Sequence, residues 1–283
     1  MTDKPVPKAG VMGWPIGHSL SPRVHGFWLQ SLHIQGSYEA FAVKPEDLRT
    51  ALHNLQANGL VGVNLTIPHK IAALKIVDTL NEAAKRIGAV NLVTVDASGK
   101  LHGSNTDAYG FAQNLLSAGV RPFRGTAFVL GAGGASRAVL VALEDLGFSE
   151  IRIANRTIKS AEKLALELAT PQTKISVVPW AHASEKFEGS DLLVNTTSLG
   201  MAGQPELTVS LDALPPSASV ADIVYAPLET ALLKQAKKRG CRTIDGLGML
   251  LHQARPAFKA FFGRDPEVTE DLRAFVLGGR KKT

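Results

Sequence analysis

Between residues 126 and 147 the chain reads TAFVLGAGGASRAVLVALEDLG: an apolar run, a glycine-rich turn and a helix-like run with no spacer between them. Few folds accept that order. A strand that is apolar at successive positions must be covered on both faces, while Ala138, Ala142 and Leu146 recur at the spacing of one buried helix face. Gly131, Gly133 and Gly134 sit at the junction, where glycine permits a tight turn and a close backbone approach. The helix start then offers free N–H groups and a partial positive charge to a pyrophosphate. This is the dinucleotide pattern, with Ser136 at its third glycine position. A merely structural turn is the alternative, and the strand-then-helix context favours the nucleotide.

The same alternation continues through IRIANR, ISVVPW, DLLVNTT, ADIVY and RTID, with helical stretches between several of them. Short apolar runs alternating with helices predict a doubly wound parallel sheet, an α/β fold of the Rossmann type. Its second strand ends at Asn155-Arg156-Thr157, where an NAD-selective site would commonly place a carboxylate for the ribose 2′-hydroxyl. Arg156 can instead pair with a 2′-phosphate, and the missing carboxylate removes a repulsion, so both effects favour NADP.

The first hundred residues carry a different mixture. AGVMGWP, YEAFAV and LVGVNLTIP read as strands, a helix is expected after Lys44-Pro45-Glu46-Asp47 with Gly59 at its end, and another from Lys70 to about Arg86. AVNLVTVD and KLHG, separated by Ala97-Ser98-Gly99, predict a hairpin. Asp107 opens a helix in which Phe111, Leu115 and Ala118 share a face and Gly119 supplies the stop, a bridge between domains. Two more helical segments follow Gly246.

Composition removes several classes of function. With 45% hydrophobic and 20% charged residues, the 283-residue chain can build packed cores. Three charges of its net +6 sit in the tail residues Arg280, Lys281 and Lys282, and the other basic residues are dispersed among acids. A nucleic-acid partner is therefore not expected. No uncharged run reaches the roughly 18–20 residues that span a bilayer, and the N-terminus has no export signal, so no membrane partner is expected. One cysteine, Cys241, excludes an intramolecular disulfide framework, and no Cys/His cluster has zinc spacing, so no metal is expected. The cytoplasm is the expected location. Nothing in the sequence fixes the oligomeric state, and a homodimer is carried as an expectation.

The stretch NLTIPHK, residues 64–70, ends an apolar strand with polar Asn64 and Thr66, a proline, His69 and Lys70. It is either a strand end meeting solvent or a ligand site. Eight further segments decide between these: GHSLSP at 17–22, GAVN at 88–91, GSNTD at 103–107, GAGGASRA at 131–138, NRT at 155–157, NTTSLGM at 195–201, DIVYAPLET at 222–230 and DGLGMLLHQA at 245–254. In this order and spacing the sequence resembles the shikimate dehydrogenases. The resemblance implies NADPH-dependent interconversion of 3-dehydroshikimate and shikimate, with an α/β substrate-binding and catalytic domain over 1–107, a Rossmann-type NADP domain over 108–246, and C-terminal helices over 247–283 that pack on the first domain.

By that resemblance Ser19 and Ser21 bind the substrate carboxylate, and Asn64, Thr66, Asn91 and Gln253 hold the ring hydroxyls. Tyr225 lies near the substrate. Lys70 and Asp107 form the catalytic pair, with Lys70 supplying a proton to the developing alkoxide and Asp107 orienting Lys70 and bonding a substrate hydroxyl. Taken alone, such a pair reads as a structural salt bridge. On the cofactor side, Gly131, Ala132, Gly133, Gly134 and Ala135 hold the pyrophosphate, and Asn155, Arg156 and Thr157 the adenosine phosphate. Lys159 adjoins Ser160, which stands where many relatives carry a second basic residue. Ile223 and Gly246 lie near the nicotinamide. Gly26 replaces the usual asparagine after His25, and Leu92 the usual threonine after Asn91. His18, His25 and His69 are read as supporting rather than catalytic. A quinate or dual-specificity dehydrogenase is the nearest alternative, and a non-catalytic regulatory relative the next.

Overall fold

The computed structural model describes residues 6–121 and 124–278; Arg280, Lys281 and Lys282 lie outside them. The chain forms two compact units, one of residues 1–106 with 251–283 and the other of residues 107–250.

The first unit is built on a six-stranded mixed sheet. Its strands are β1 Lys8–Gly13, β2 Ser37–Ala42, β3 Leu60–Leu65, β4 Thr79–Leu80, β5 Leu92–Val95 and β6 Leu101–Ser104, in the spatial order β2-β1-β3-β5-β6-β4. β1 runs parallel to both β2 and β3, whereas β5 pairs antiparallel with β3 and with β6. The expected hairpin is thus β5–β6, turning at Gly99 with φ +85°. Side chains alternate along a strand, so Val63 and Leu65 enter a core with Met12, Leu52, Val93 and Leu101 while Asn64 between them leaves it. The helices α1 Ser21–Ser31, α2 Leu48–His53 and α3 Glu82–Ile87 belong to this unit.

The helix expected from Lys70 to Arg86 does not form as one piece. A 3₁₀ turn over Ala72–Lys75, the short strand β4 and α3 replace it. The Asp78 N–H donates to the Leu101 carbonyl at 2.9 Å and its carboxylate accepts the Leu101 N–H at 2.7 Å, a pairing across the sheet that helical hydrogen bonds would forbid. Asn81 then starts α3 afresh, its side chain accepting the Ala84 N–H at 2.8 Å. Local propensity yields to tertiary pairing here. Similarly, α2 stops at His53, and Gly59 (φ +70°) turns the chain into β3 instead of ending the helix.

The second unit carries six parallel strands: β7 Thr126–Leu130, β8 Glu150–Asn155, β9 Lys174–Pro179, β10 Leu192–Asn195, β11 Ser219–Asp222 and β12 Arg242–Ile244. Their order, β12-β11-β10-β7-β8-β9, reverses direction between β7 and β10. That reversal is the switch point of a doubly wound sheet, where a crevice opens beyond the carboxyl ends of the strands. The helices α4 Asp107–Ser117, α5 Gly134–Asp145, α6 Ile158–Glu167 and α7 Ala231–Lys238 belong to this unit. β10 is buried at every position, which accounts for its apolar run Leu192-Leu193-Val194, and Asn195 at its end is buried and polar. The helices α8 Gly246–Phe262 and α9 Glu270–Gly278 complete the described chain, and the division between units falls inside α8.

Candidate active site

In the first unit, the polar residues at the strand ends form one hydrogen-bonded chain. The Tyr38 hydroxyl donates to Asn64 Oδ1 at 2.8 Å, and Asn64 Nδ2 donates to the Asn91 carbonyl at 3.0 Å. Asn91 Oδ1 accepts the Thr106 N–H at 2.8 Å, while its Nδ2 donates to Thr106 Oγ1 at 2.9 Å and to Gln253 Oε1 at 3.4 Å. Ser21 opens α1, its N–H donating to Ser19 Oγ at 3.3 Å, and the Ser21 hydroxyl bonds the Tyr38 phenol. Tyr38 spends its one proton on Asn64, so Ser21 must be the donor to it. Burial holds the phenol well above its ordinary pKa, which keeps that proton in place.

Thr66 follows β3, its N–H donating to the Met12 carbonyl at 3.0 Å. His69 is buried and its Nε2 donates to the Val43 carbonyl at 2.8 Å. Lys70 is half-buried, and its carbonyl accepts the Val90 N–H at 2.8 Å, fixing its backbone one residue from Asn91. Of the substrate-side residues, this unit therefore links Asn64, Asn91 and Gln253 directly, with Ser19 and Ser21 joined to them through Tyr38. Tyr38 and Thr106 were assigned no role from sequence. Thr106 stands inside the GSNTD motif, whereas Tyr38 gave no signal beyond a strand position.

His25 lies wholly buried on α1, stacked on Tyr38 with ring centroids 3.8 Å apart and planes within 3°. Neither ring nitrogen has a hydrogen-bond partner, and burial lowers its pKa to about 3. The unfolded chain takes up a proton near pH 6.5 that the native state refuses. Stability from this group is therefore complete above pH 6.5 and is lost as pH falls toward 3. Between pH 6 and 5 the protein should lose about 1 kcal/mol more than a His25→Phe variant. Urea unfolding at the two pH values measures this, and equal losses would contradict it.

The second unit holds a cavity of about 250 Å³ at the switch point. Gly131, Ala132 and Gly133 line one side, Asn155 and Arg156 another, and Trp180 with Thr196–Leu199 the rest. Gly131 has φ +110°, and an added Cβ would lie 2.6 Å from Thr196 Oγ1, so the fold itself demands glycine there. Gly133 and Gly134 differ: a Cβ at either would meet nothing within 4 Å. The space they leave at the start of α5 is a cradle that side chains would fill, the fit expected for a pyrophosphate against a helix N-terminus.

Thr196 Oγ1 lies 2.7 Å from both the Leu130 carbonyl and Ser136 Oγ. The carbonyl can only accept, so Thr196 donates to it and Ser136 donates to Thr196. Ser136 Oγ in turn accepts the Gly133 N–H at 3.0 Å. The serine at the third glycine position thus ties the turn after β7 to the end of β10.

Asn155 Nδ2 donates to the Thr157 carbonyl at 3.0 Å, shaping the turn that presents exposed Arg156 to the cavity. Gly134, Ala135, Thr157, Lys159 and Ser160 do not line it, nor do Ile223 and Gly246. Gly246 packs against the end of β11, where an added Cβ would be 2.2 Å from the Ile223 carbonyl oxygen. Tyr225 is half-buried just beyond β11, and Asp107, 8% exposed, is the first residue of α4. Trp180 and Thr196–Leu199 are the cavity residues that sequence reasoning left without a role. NTTSLGM had marked the latter, and Trp180 closed a strand-like run.

A parallel sheet in this order, with a glycine turn and a basic residue at the switch point, defines an NADP-type dinucleotide-binding α/β protein, here joined to a second α/β unit with a polar hydrogen-bonded site. Residues 11–93 match the shikimate dehydrogenase substrate binding domain, 120–202 the shikimate/quinate 5-dehydrogenase family and 246–274 the shikimate 5′-dehydrogenase C-terminal domain. A shikimate dehydrogenase (NADP(+)) of Paramagnetospirillum magneticum is 53% identical over 271 residues, 95% of this chain and 97% of that protein. The chain belongs to the shikimate dehydrogenase family. Among solved structures, the Thermus thermophilus shikimate 5-dehydrogenase in complex with NADP(H) and shikimate is similar with a TM-score of 0.85 and 38% identity, covering 96% of this chain and 99% of that one. The quinate dehydrogenase of Corynebacterium glutamicum in complex with NAD is similar with a TM-score of 0.89 and 31% identity, covering 96% and 99%.

Proposed function

We propose that this protein catalyses the reversible, NADPH-dependent reduction of 3-dehydroshikimate to shikimate, a step toward chorismate and the aromatic amino acids. The observation that carries the reading is the near-full-length, 53% identity to a curated NADP(+) enzyme of this name. The retained polar set supports it, since a binding relative without turnover could dispense with Lys70 or Asp107.

Bound NADPH supplies a hydride to the substrate's ketone carbon. As carbon gains the hydride, its oxygen gains negative charge, and the Lys70 ammonium stabilises that charge and delivers the proton that completes the alcohol. Asp107 orients Lys70 and accepts a hydrogen bond from a ring hydroxyl. Ser19 and Ser21 bind the carboxylate at the start of α1, adding no buried charge; the Ser21 hydroxyl turns its single proton from Tyr38 to the carboxylate when substrate binds. Asn64, Thr66, Asn91 and Gln253 hold ring hydroxyls because amides and hydroxyls both donate and accept, and Tyr225 borders the ring. The turn at residues 131–135 receives the pyrophosphate; Asn155, Arg156 and Thr157 receive the 2′-phosphate, with Lys159 and Ser160 adjoining. Ile223 and Gly246 border the nicotinamide. The cytoplasm, a reducing compartment that suits the single cysteine Cys241, is the proposed location; among the described residues no helix is long and apolar enough to cross a membrane.

Fold similarity alone does not separate shikimate from quinate, because the quinate enzyme is as close in shape. Absorbance at the reduced-nicotinamide band, with shikimate or quinate and NADP or NAD in all four combinations, tests the reading. Rapid reduction with shikimate and NADP is expected. Faster turnover of quinate or of NAD would move the protein to the dual-specificity branch, and binding without turnover to the regulatory one.

A further inference from the structure

Asp222, the last residue of β11, is 2% exposed, and no role has been given to it. Its Oδ1 accepts the Asn195 Nδ2 hydrogen bond at 3.0 Å and the Val224 N–H at 3.0 Å; its Oδ2 accepts the Thr230 hydroxyl at 2.7 Å. Each donor leads to a different element. Asn195 ends β10, and its Oδ1 accepts both the N–H (3.0 Å) and the hydroxyl (2.7 Å) of Thr197. Thr197 Oγ1 accepts the Leu199 N–H at 3.1 Å, and Asn195 Nδ2 also donates to the Leu199 carbonyl at 3.2 Å. Thr230 caps α7, its hydroxyl oxygen accepting the Leu233 N–H. Val224 belongs to the segment after β11 whose neighbour Ile223 packs on Gly246.

We infer that Asp222 is a positioning residue for the cofactor: one buried carboxylate holds the loop over Thr197–Leu199, which lines the cavity, and the Ile223–Tyr225 segment in fixed register. The inference rests on the proposed reading that NADP occupies that cavity. A buried carboxylate is an expensive tether. Its burial outweighs three hydrogen bonds to leave its pKa raised to about 6, whereas an apolar residue of similar size would add stability at no such cost. What the carboxylate adds is a single acceptor that two loops and a helix cap share. The groups bonded to it, Asn195, Val224 and Thr230, do not titrate.

The experiment is NADPH binding by fluorescence titration to the full-length wild type and to Asp222→Ala, Asp222→Asn, Asn195→Ala and Leu214→Ala. Leu214 is a buried core residue of the same unit, and its truncation supplies a comparable loss of melting temperature with no bond to the loops. Asp222→Ala should weaken NADPH binding about tenfold or more. Asp222→Asn keeps the acceptor for Asn195 and Val224 and should recover most of that loss. Asn195→Ala cuts the tether one bond further on and should follow Asp222→Ala, which also tests the inference if Asp222→Ala fails to fold. Leu214→Ala should bind as the wild type does. Wild-type affinity in Asp222→Ala or in Asn195→Ala, or an equal loss in Leu214→Ala, overturns the inference. No NADPH binding by the wild type would instead overturn the assignment of the cavity.

Discussion

Lys70→Ala is expected to lower kcat by about 10²–10⁴-fold, the range over which a positioned proton donor contributes to a transition state. The reason is the charge on the ketone oxygen: as hydride reaches carbon the oxygen becomes an alkoxide, and without the ammonium that charge develops unpaired and the barrier rises. NADPH affinity should change little, because Lys70 belongs to the first unit and the phosphate cavity to the second. Single-turnover reduction of 3-dehydroshikimate, alongside an NADPH titration, separates the two effects. A kcat within tenfold of the wild type would remove Lys70 from the chemistry. An equal loss of NADPH affinity would point to general damage.

Arg156→Ala should raise the NADP dissociation constant by about 10–100-fold, the loss of one or two hydrogen bonds to a charged phosphate. NAD binding should stay within about twofold, since the 2′-hydroxyl offers no charge for the guanidinium to neutralise. Arg156 is exposed, so the effect should shrink as salt rises toward a Debye length of about 3 Å at 1 M. Titrations with both cofactors at low and high salt measure it. If Arg156→Ala keeps its preference for NADP, the neighbouring Lys159 carries the selectivity, and the Arg156→Ala/Lys159→Ala pair should then abolish it.

The parts legible in the sequence share a physical property: their signal lies within one or two elements. The strand, glycine turn and helix at 126–147 are contiguous, and each residue type acts on its own backbone or its immediate neighbours. The hairpin of β5 and β6 and the helix from Asp107 with Gly119 at its stop were readable for the same reason. The motif stretches reported the residues of the first unit's polar site, although the roles came from resemblance and not from local physics.

The failures lie where partners are distant. Residues 70–86 have helical composition, yet Asp78 finds Leu101, 23 positions away, and the helix breaks. Tyr38 reaches Asn64 across 26 positions, and Thr196 meets Ser136 across 60. No periodicity encodes such pairs. The sequence by itself determined the class of each element around the glycine turn, the requirement for two-sided burial and the basic residue at the second strand's end. Tertiary structure alone decided the strand order that makes β7 and β10 neighbours, the cavity walls at Trp180 and Thr196–Leu199, and the partners of the buried Asp222 carboxylate at Asn195, Val224 and Thr230. The reason is burial: a polar group removed from water must find a partner, and only the folded chain shows which of many remote candidates it meets.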